Sequence, residues 1–309
     1  MTGVHIENGA VSVREVPRPR RRPGFALLKL RLAGICNTDL ELQRGYYGFR
    51  GLPGHEFVAD VVEADDKRWI GKRVVGEINL ACGRCDWCAR GLGRHCPRRM
   101  VLGIVKHPGA FAEYLTLPET NLREVPRGLR DEQAVFTEPV AAACEILEQC
   151  RIPKGAAVAV LGDGKLGLLI AQTLAAHGAD VSLYGHHPER ARRAGAARGR
   201  AGRRFAWVVE ATGSEAGLAQ AVEMCVPRGT VVCKSTVAAR VALDMAKVIV
   251  PEITLVGSRC GRFEPALRLL ASGKVRTDWM IADRFPLREA PRAFELAATR
   301  GTMKVLLEP

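Results

Sequence analysis

The sequence predicts an α/β protein in two parts: a β-rich region to about residue 139, then a doubly wound parallel sheet. Three observations carry this. Short apolar runs in the first part alternate at the period of a strand and are broken by Gly and Pro, as in Ala26–Leu32 and Phe57–Glu63. From Val158 the order becomes strand, Gly-rich turn, helix, strand, which is the alternation of a parallel sheet covered by helices. Ala157–Leu161 is a continuous apolar run, as a strand buried on both faces requires.

The elements follow in order. Leu166–His177 reads as a helix and Val181–Tyr184 as a second strand. Ala206–Glu210, Thr230–Cys233 and Ile253–Val256 read as further strands. A helix over Glu264–Ser272 then leads to a β-like end at Met303–Leu307. A chain of 309 residues has room for one large or two medium domains. No apolar run reaches the roughly 20 residues that cross a bilayer, so no membrane association is expected. The first residues lack a basic start followed by an apolar block, so no signal peptide is read, and a cytoplasmic, reducing location suits the ten cysteines.

Four of those cysteines lie as Cys82, Cys85, Cys88 and Cys96, a C-x2-C-x2-C-x7-C spacing. Four thiolates this close can enclose one tetrahedral zinc with no open position, which makes a structural site. A ferredoxin-like cluster also begins C-x2-C-x2-C, but its last gap is three residues. A disulfide knot suits small secreted chains. Structural zinc is the reading favoured. Cys144, Cys150, Cys225, Cys233 and Cys260 read as small buried hydrophobes.

The turn after the first parallel strand is Gly162-Asp163-Gly164-Lys165-Leu166-Gly167. G-x-G-x-x-G gains meaning from its place between a buried strand and a helix. Gly162 permits the tight turn, Gly164 lets a pyrophosphate approach the helix N-terminus, and Gly167 lets the helix pack on the strand. A tight turn without a ligand is the plainer alternative. The second strand ends in Gly185-His186-His187-Pro188-Glu189-Arg190, with no carboxylate at its tip to take the ribose hydroxyls of NAD. Gly185 leaves room for a 2′-phosphate, and His186, His187 and Arg190 can pair with it. NADP is therefore favoured over NAD.

The formal net charge is +13, carried by arginine runs at 18–22 and 190–204. Such an excess can mean nucleic acid. Aromatics make up only 6% and do not interleave with the basic runs, so a stacking platform is not indicated and nucleic acid is not expected as partner.

Three islands near Gly and Pro carry further metal-ligating types: Cys36-Asn37-Thr38-Asp39, His55-Glu56 and Glu138 before Pro139. Beside a dinucleotide loop they point to a catalytic zinc with three protein ligands and one open position.

As a set and in this order, these motifs resemble the medium-chain dehydrogenase/reductase superfamily, in its zinc-dependent alcohol dehydrogenase form. The likeness spans nearly the whole chain and includes the ending Lys304–Leu307; Glu138-Pro139 is similar to polyol and sugar dehydrogenases. The resemblance implies a GroES-like catalytic domain over 1–139, with the structural zinc lobe at about 80–98. A Rossmann domain shortened at one edge would follow over 140–261, and 262–309 would return to the catalytic domain. It implies two zincs per chain and a catalytic centre in the cleft between domains. It carries over Cys36, His55 and Glu138 as catalytic zinc ligands, Glu56 as the adjacent carboxylate that binds or exchanges, Asp39 as partner of the ligand histidine, and Thr38 as the relay hydroxyl. It also implies a homodimer or homotetramer acting on a small alcohol, polyol or carbonyl compound.

Two departures are visible. Glu41 stands where many members place the last histidine of the proton path. The stretch from Gly185 to Arg204 is too short for the usual helix, strand and helix, so an outer unit of the sheet is expected to be missing. Tyr46, Tyr47 and Phe49 read either as substrate lining or as core. A carbonyl reductase, or a non-catalytic dinucleotide-binding scaffold of the same fold, is the alternative function.

Overall fold

A computed structural model describes residues 1–236 and 241–309. The chain forms two compact units, Met1–Glu138 with Thr277–Pro309, and Pro139–Arg276.

In the first unit the strand Phe25–Gly34 is the organising element. Its inward residues Leu28, Leu30 and Leu32 are almost fully buried, which is what its alternating pattern requires. It pairs antiparallel with Glu56–Glu63, Tyr114–Pro118 and the C-terminal strand Lys304–Glu308. Register then does the positioning. Gly34 lies opposite Glu56 on one side and opposite Leu306 on the other. The Ile35 N–H extends the second pairing by donating to Val305 O at 2.9 Å. Residues just past Gly34, at the head of Glu56–Glu63 and at the start of Lys304–Glu308 therefore converge. A three-stranded sheet of Asn79–Leu80, Met100–Leu102 and Lys106–His107 borders the cysteine lobe.

The second unit holds six parallel strands in the order Ala197–Arg198, Asp180–Tyr184, Ala157–Leu161, Phe205–Glu210, Cys225–Cys233, Thr254–Gly257. Numbered along the chain this is 3-2-1-4-5-6, the doubly wound order. Val158, Ala159, Val160 and Leu161 are at most 1% exposed, so the central strand is covered on both faces. The helix Lys165–His177 buries Leu168, Leu169, Ile170 and Leu174 against it and ends at Gly178, whose φ of +102° suits a C-terminal glycine.

Two expectations need correction. The boundary of this unit lies at Arg276, not at Gly261, because the helix Phe263–Ala271 and its flanks attach here. A Cβ on Gly261 would strike Ala141 O, Arg262 pairs with Glu148, and the Arg276 N–H donates to Gln172. The sheet edge is also less reduced than its length suggested. The helix Pro188–Arg193 and the strand Ala197–Arg198 both survive, and only the helix of the return crossover is absent. Residues 199–204 make that return directly.

Two aromatic rings take up the uncovered face. Tyr184 and Phe205 meet edge to face, centroids 6.1 Å apart, with the Arg203 guanidinium 4.9 Å from the Phe205 ring centre. Both rings belong to the cluster built by Ala221 and Val222 of the helix Glu215–Glu223, so they lie on the face that helix covers. That is the face a right-handed return crossover uses. Phe205 is 2% exposed. Replacing it with Ala is expected to cost about 3–5 kcal/mol, and with Leu less than about 1.5 kcal/mol. Urea unfolding of the two variants checks this; equal, small losses would mean the ring fills no structural gap.

Candidate active site

The first constellation forms around the end of Phe25–Gly34. Cys36 caps the helix Asn37–Gln43, and Asp39 reaches back from its first turn to accept the Cys36 N–H at 2.8 Å. The other Asp39 oxygen accepts the Gly54 N–H at 3.2 Å. One carboxylate with no solvent exposure thus ties together the segments that carry Cys36 and His55. Gly54 has a φ of +99°, and a Cβ there would sit 2.4 Å from the Phe111 ring, so only glycine lets the chain turn tightly enough to present His55.

Donor atoms of Cys36, His55 and Glu56 all lie within 4.8 Å of one another. His55 is 3% exposed and Glu56 1%. His55 Nδ1 stands 3.4 Å from Asp39 Oδ1, close enough for charge attraction, yet not aligned as a hydrogen bond. Glu56 Oε1 is also buried without a partner, while Glu56 Oε2 is bonded by the Lys304 ammonium. Burial alone would push the His55 imidazole down, but Asp39 and Cys36 outweigh it and hold its pKa well above the ordinary value. Lys304 behaves alike: burial lowers it, and Glu56 with Cys36 raises it further than that.

A thiol, an imidazole and a carboxylate with two buried polar atoms unsatisfied suit a zinc ion by donor type. Glu138 is not in this group among the described residues. It opens the helix Thr137–Gln149, half-buried, one residue after a threonine whose hydroxyl donates to Ala134 O. Thr38 is half-buried beside Asp39. Glu41 is held by Arg44 at 2.6 Å. Tyr46 and Phe49 are half-buried and Tyr47 is 67% exposed, so none of the three is core.

The cysteine lobe forms a second group. Cys82, Cys85, Cys88 and Cys96 also lie within 4.8 Å of one another, with Sγ separations of 4.0, 3.5 and 3.6 Å for 82–88, 85–88 and 85–96. Tetrahedral zinc with 2.3 Å bonds has an edge of about 3.8 Å. No disulfide is present; all ten cysteines are free. A backbone N–H from Arg84 helps hold Cys82 down to about 6, and burial pushes Cys88 up to about 11. Of the remaining cysteines, Cys144, Cys150 and Cys225 are buried as expected, whereas Cys233 and Cys260 are only half-buried.

In the second unit the glycine loop has the shape its motif predicts. A Cβ on Gly162 would meet Ala211 O at 2.4 Å and one on Gly167 would meet Gly162 O at 1.9 Å, whereas nothing lies within 4 Å of one on Gly164. Gly164 also caps the helix Lys165–His177, so the open space faces free N–H groups at a helix N-terminus. Lys165 and Leu166 follow it, both half-buried.

The strand tip differs from the expectation. The room above Gly185 is filled by Asp163, whose Cγ would lie 2.2 Å from a Cβ there. Asp163 Oδ2 accepts the His187 N–H at 2.7 Å and lies 2.9 Å from His187 Nδ1, and Arg190 donates to Asp163 O at 3.1 Å. Sequence reasoning missed this acid because it sits in the loop, not at the strand tip. Burial alone would raise the Asp163 pKa, but the His187 hydrogen bonds and nearby charges hold it below the usual range. A depressed carboxylate stabilises the fold above its unfolded pKa of about 4 and stops doing so as pH falls through its folded value. Asp163→Ala should therefore lower the unfolding free energy at pH 7 by about 1 kcal/mol, the size of one net hydrogen bond. The gap to the parent should close in acid. A gap constant with pH in thermal melts would refute the assignment.

Comparison with known proteins agrees with this geometry. The family described as the alcohol dehydrogenase GroES-like domain matches residues 22–127. D-arabinitol dehydrogenase 1 of Uromyces fabae is 30% identical, over 92% of this chain and 89% of its own. The solved alcohol dehydrogenase TADH from Thermus sp. ATN1 is 32% identical with a TM-score of 0.90, covering 100% of this chain and 99% of that one. A protein from Sinorhizobium meliloti 1021, described as a zinc-binding dehydrogenase and solved bound to NADP, is 30% identical with a TM-score of 0.90 over 100% and 99%.

Proposed function

The chain belongs to the medium-chain dehydrogenase/reductase superfamily, as an oxidoreductase of the zinc-dependent alcohol and polyol dehydrogenase type, and from that premise we propose how its own residues carry the reaction. The observation that carries the proposal is the buried group of Cys36, His55 and Glu56 donors. Cys36 and His55 would hold a catalytic zinc, with Glu56 as the adjacent carboxylate that binds or exchanges; Glu138, which stands outside the group of donors, would have to move to join it as the third ligand. When bound, the zinc lowers the pKa of the alcohol hydroxyl and the nicotinamide accepts the hydride from the alcohol carbon.

The chain does the rest. Asp39 fixes the spacing of the Cys36 and His55 segments before any ligand arrives. Thr38 Oγ1 takes the alcohol proton and passes it on. Glu41, paired with Arg44, is a poor replacement for an imidazole in the final step, so the proton leaves Thr38 by another route. Gly164 and the free N–H groups behind it hold the cofactor pyrophosphate. Cys82, Cys85, Cys88 and Cys96 hold a second, structural zinc.

NADP is the favoured cofactor. No carboxylate stands at the tip of the second strand, Asp163 in the neighbouring loop already accepts the His187 N–H, and His186, His187 and Arg190 gather positive charge there. A homodimer is supported by the strand Thr254–Gly257, whose outer edge pairs with no strand among the described residues, and by Ile249 and Val250 beside it, 67% and 81% exposed. No helix among the described residues is long and apolar enough to cross a membrane. Free thiols throughout suit a reducing, cytoplasmic setting.

A panel of alcohols, polyols and aldehydes, followed by reduced-cofactor absorbance, tests the activity. Metal analysis tests the centre: about two zincs per chain are expected, falling to about one in Cys36→Ala. An unchanged count would remove the catalytic assignment. Arg190→Ala should raise the KM for NADP by roughly tenfold or more and leave that for NAD nearly unchanged, since one charged hydrogen bond is lost. Equal loss with both cofactors would mean that Arg190 only braces the loop.

A further inference from the structure

Lys304 is a buried charge beside the donor group that the chemistry above leaves unused. It is 2% exposed, which is rare for lysine unless it is paired. Its Nζ bonds Glu56 Oε2, lies 3.3 Å from Ile35 O, and stands 5.7 Å from the Phe136 ring centre. Strand register puts it there: Leu306 pairs with Gly34, so Lys304 falls level with the residues that lead into Cys36.

The Glu56 carboxylate consequently faces two ways. Oε2 is taken by the ammonium, while Oε1 is buried with no hydrogen-bond partner, and the carboxylate belongs to the donor group of Cys36 and His55. A carboxylate that shares its charge with an ammonium is a weaker metal donor than a free one. The surrounding acids add weight to this. Cys36, Asp39 and Glu56 bring up to three negative charges into one buried region, and Lys304 supplies the compensating positive charge.

We infer that Lys304 is a positioning residue that limits how tightly Glu56 binds the metal held by Cys36 and His55, so that an incoming alcohol oxygen can displace the carboxylate. Without the ammonium, Glu56 becomes a full ligand and closes the site. This rests on the metal centre proposed above.

The test uses the whole chain with Lys304→Met, which keeps the length and packs beside Phe136, and Lys304→Arg as the conservative variant. Zinc affinity at the Cys36 site is read by chelator competition, and coordination by the visible absorption of cobalt-substituted protein. Lys304→Met should bind metal more tightly by about tenfold, the scale on which a ligand's partner alters affinity, with the sign reversed here because the ammonium competes with the metal for the carboxylate. Its cobalt spectrum should be altered and its KM for alcohol raised more than its kcat is lowered. Lys304→Arg should stay near the parent. In a Glu56→Gln background, Lys304→Met should change the affinity little.

A role in folding alone predicts the opposite sign, weaker metal retention and a lower unfolding midpoint that zinc does not restore. Weaker or unchanged affinity, or the same shift without the Glu56 carboxylate, overturns the inference. If Lys304→Met does not fold, Lys304→Gln is read by the same measurements. Failure of the metal centre itself is separable, because the parent protein would then hold no metal that Cys36→Ala removes.

Discussion

A single buried carboxylate organises the catalytic unit. Asp39 accepts N–H groups from Cys36 and Gly54, two segments that no local pattern brings together, and its charge faces the His55 imidazole. A donor lost at either point would leave a polar group buried and unsatisfied, at about 1–3 kcal/mol. Such a clamp makes the spacing of the Cys36 and His55 segments a property of the fold. Around it the strands set the rest. Glu56 and Lys304 occupy neighbouring registers on either side of Gly34, so residues 248 positions apart meet from opposite flanks of a single strand.

The cofactor unit uses the same device at smaller scale. Asp163 leaves the glycine loop to secure the next strand tip, joining two turns that both border the bound dinucleotide in doubly wound folds. Unlike an acid at the tip of the second strand, this one lies in the glycine loop and spends one oxygen, Oδ2, on His187.

The sequence made the architecture legible wherever a local rule applies. The apolar run Ala157–Leu161, the three glycines that follow it and the tight cysteine spacing each obey constraints that act within a few residues. The four cysteines and the Cys36 and His55 islands appear where those rules put them. Contacts between distant residues escaped. Lys304 bonds Glu56 across 248 positions, and nothing near either residue announces it. Asp163 was hidden because a loop residue supplied what was sought on a strand. The short return crossover was visible as a length, but that a tyrosine and a phenylalanine would fill the gap depended on which face of the sheet they share.

The loss of that crossover helix has a further consequence for the two borders of the parallel sheet. On one side the last strand, Ala197–Arg198, is two residues long and is followed by Arg200, Arg203 and Arg204, all exposed. A foreign strand seeking to add there finds few hydrogen-bonding positions and strong positive charge, the conditions that suppress edge-to-edge aggregation. The opposite border is longer and has apolar neighbours. The surplus of arginine thus falls on one rim of the sheet and not on the other, so the two edges differ in charge as well as in length.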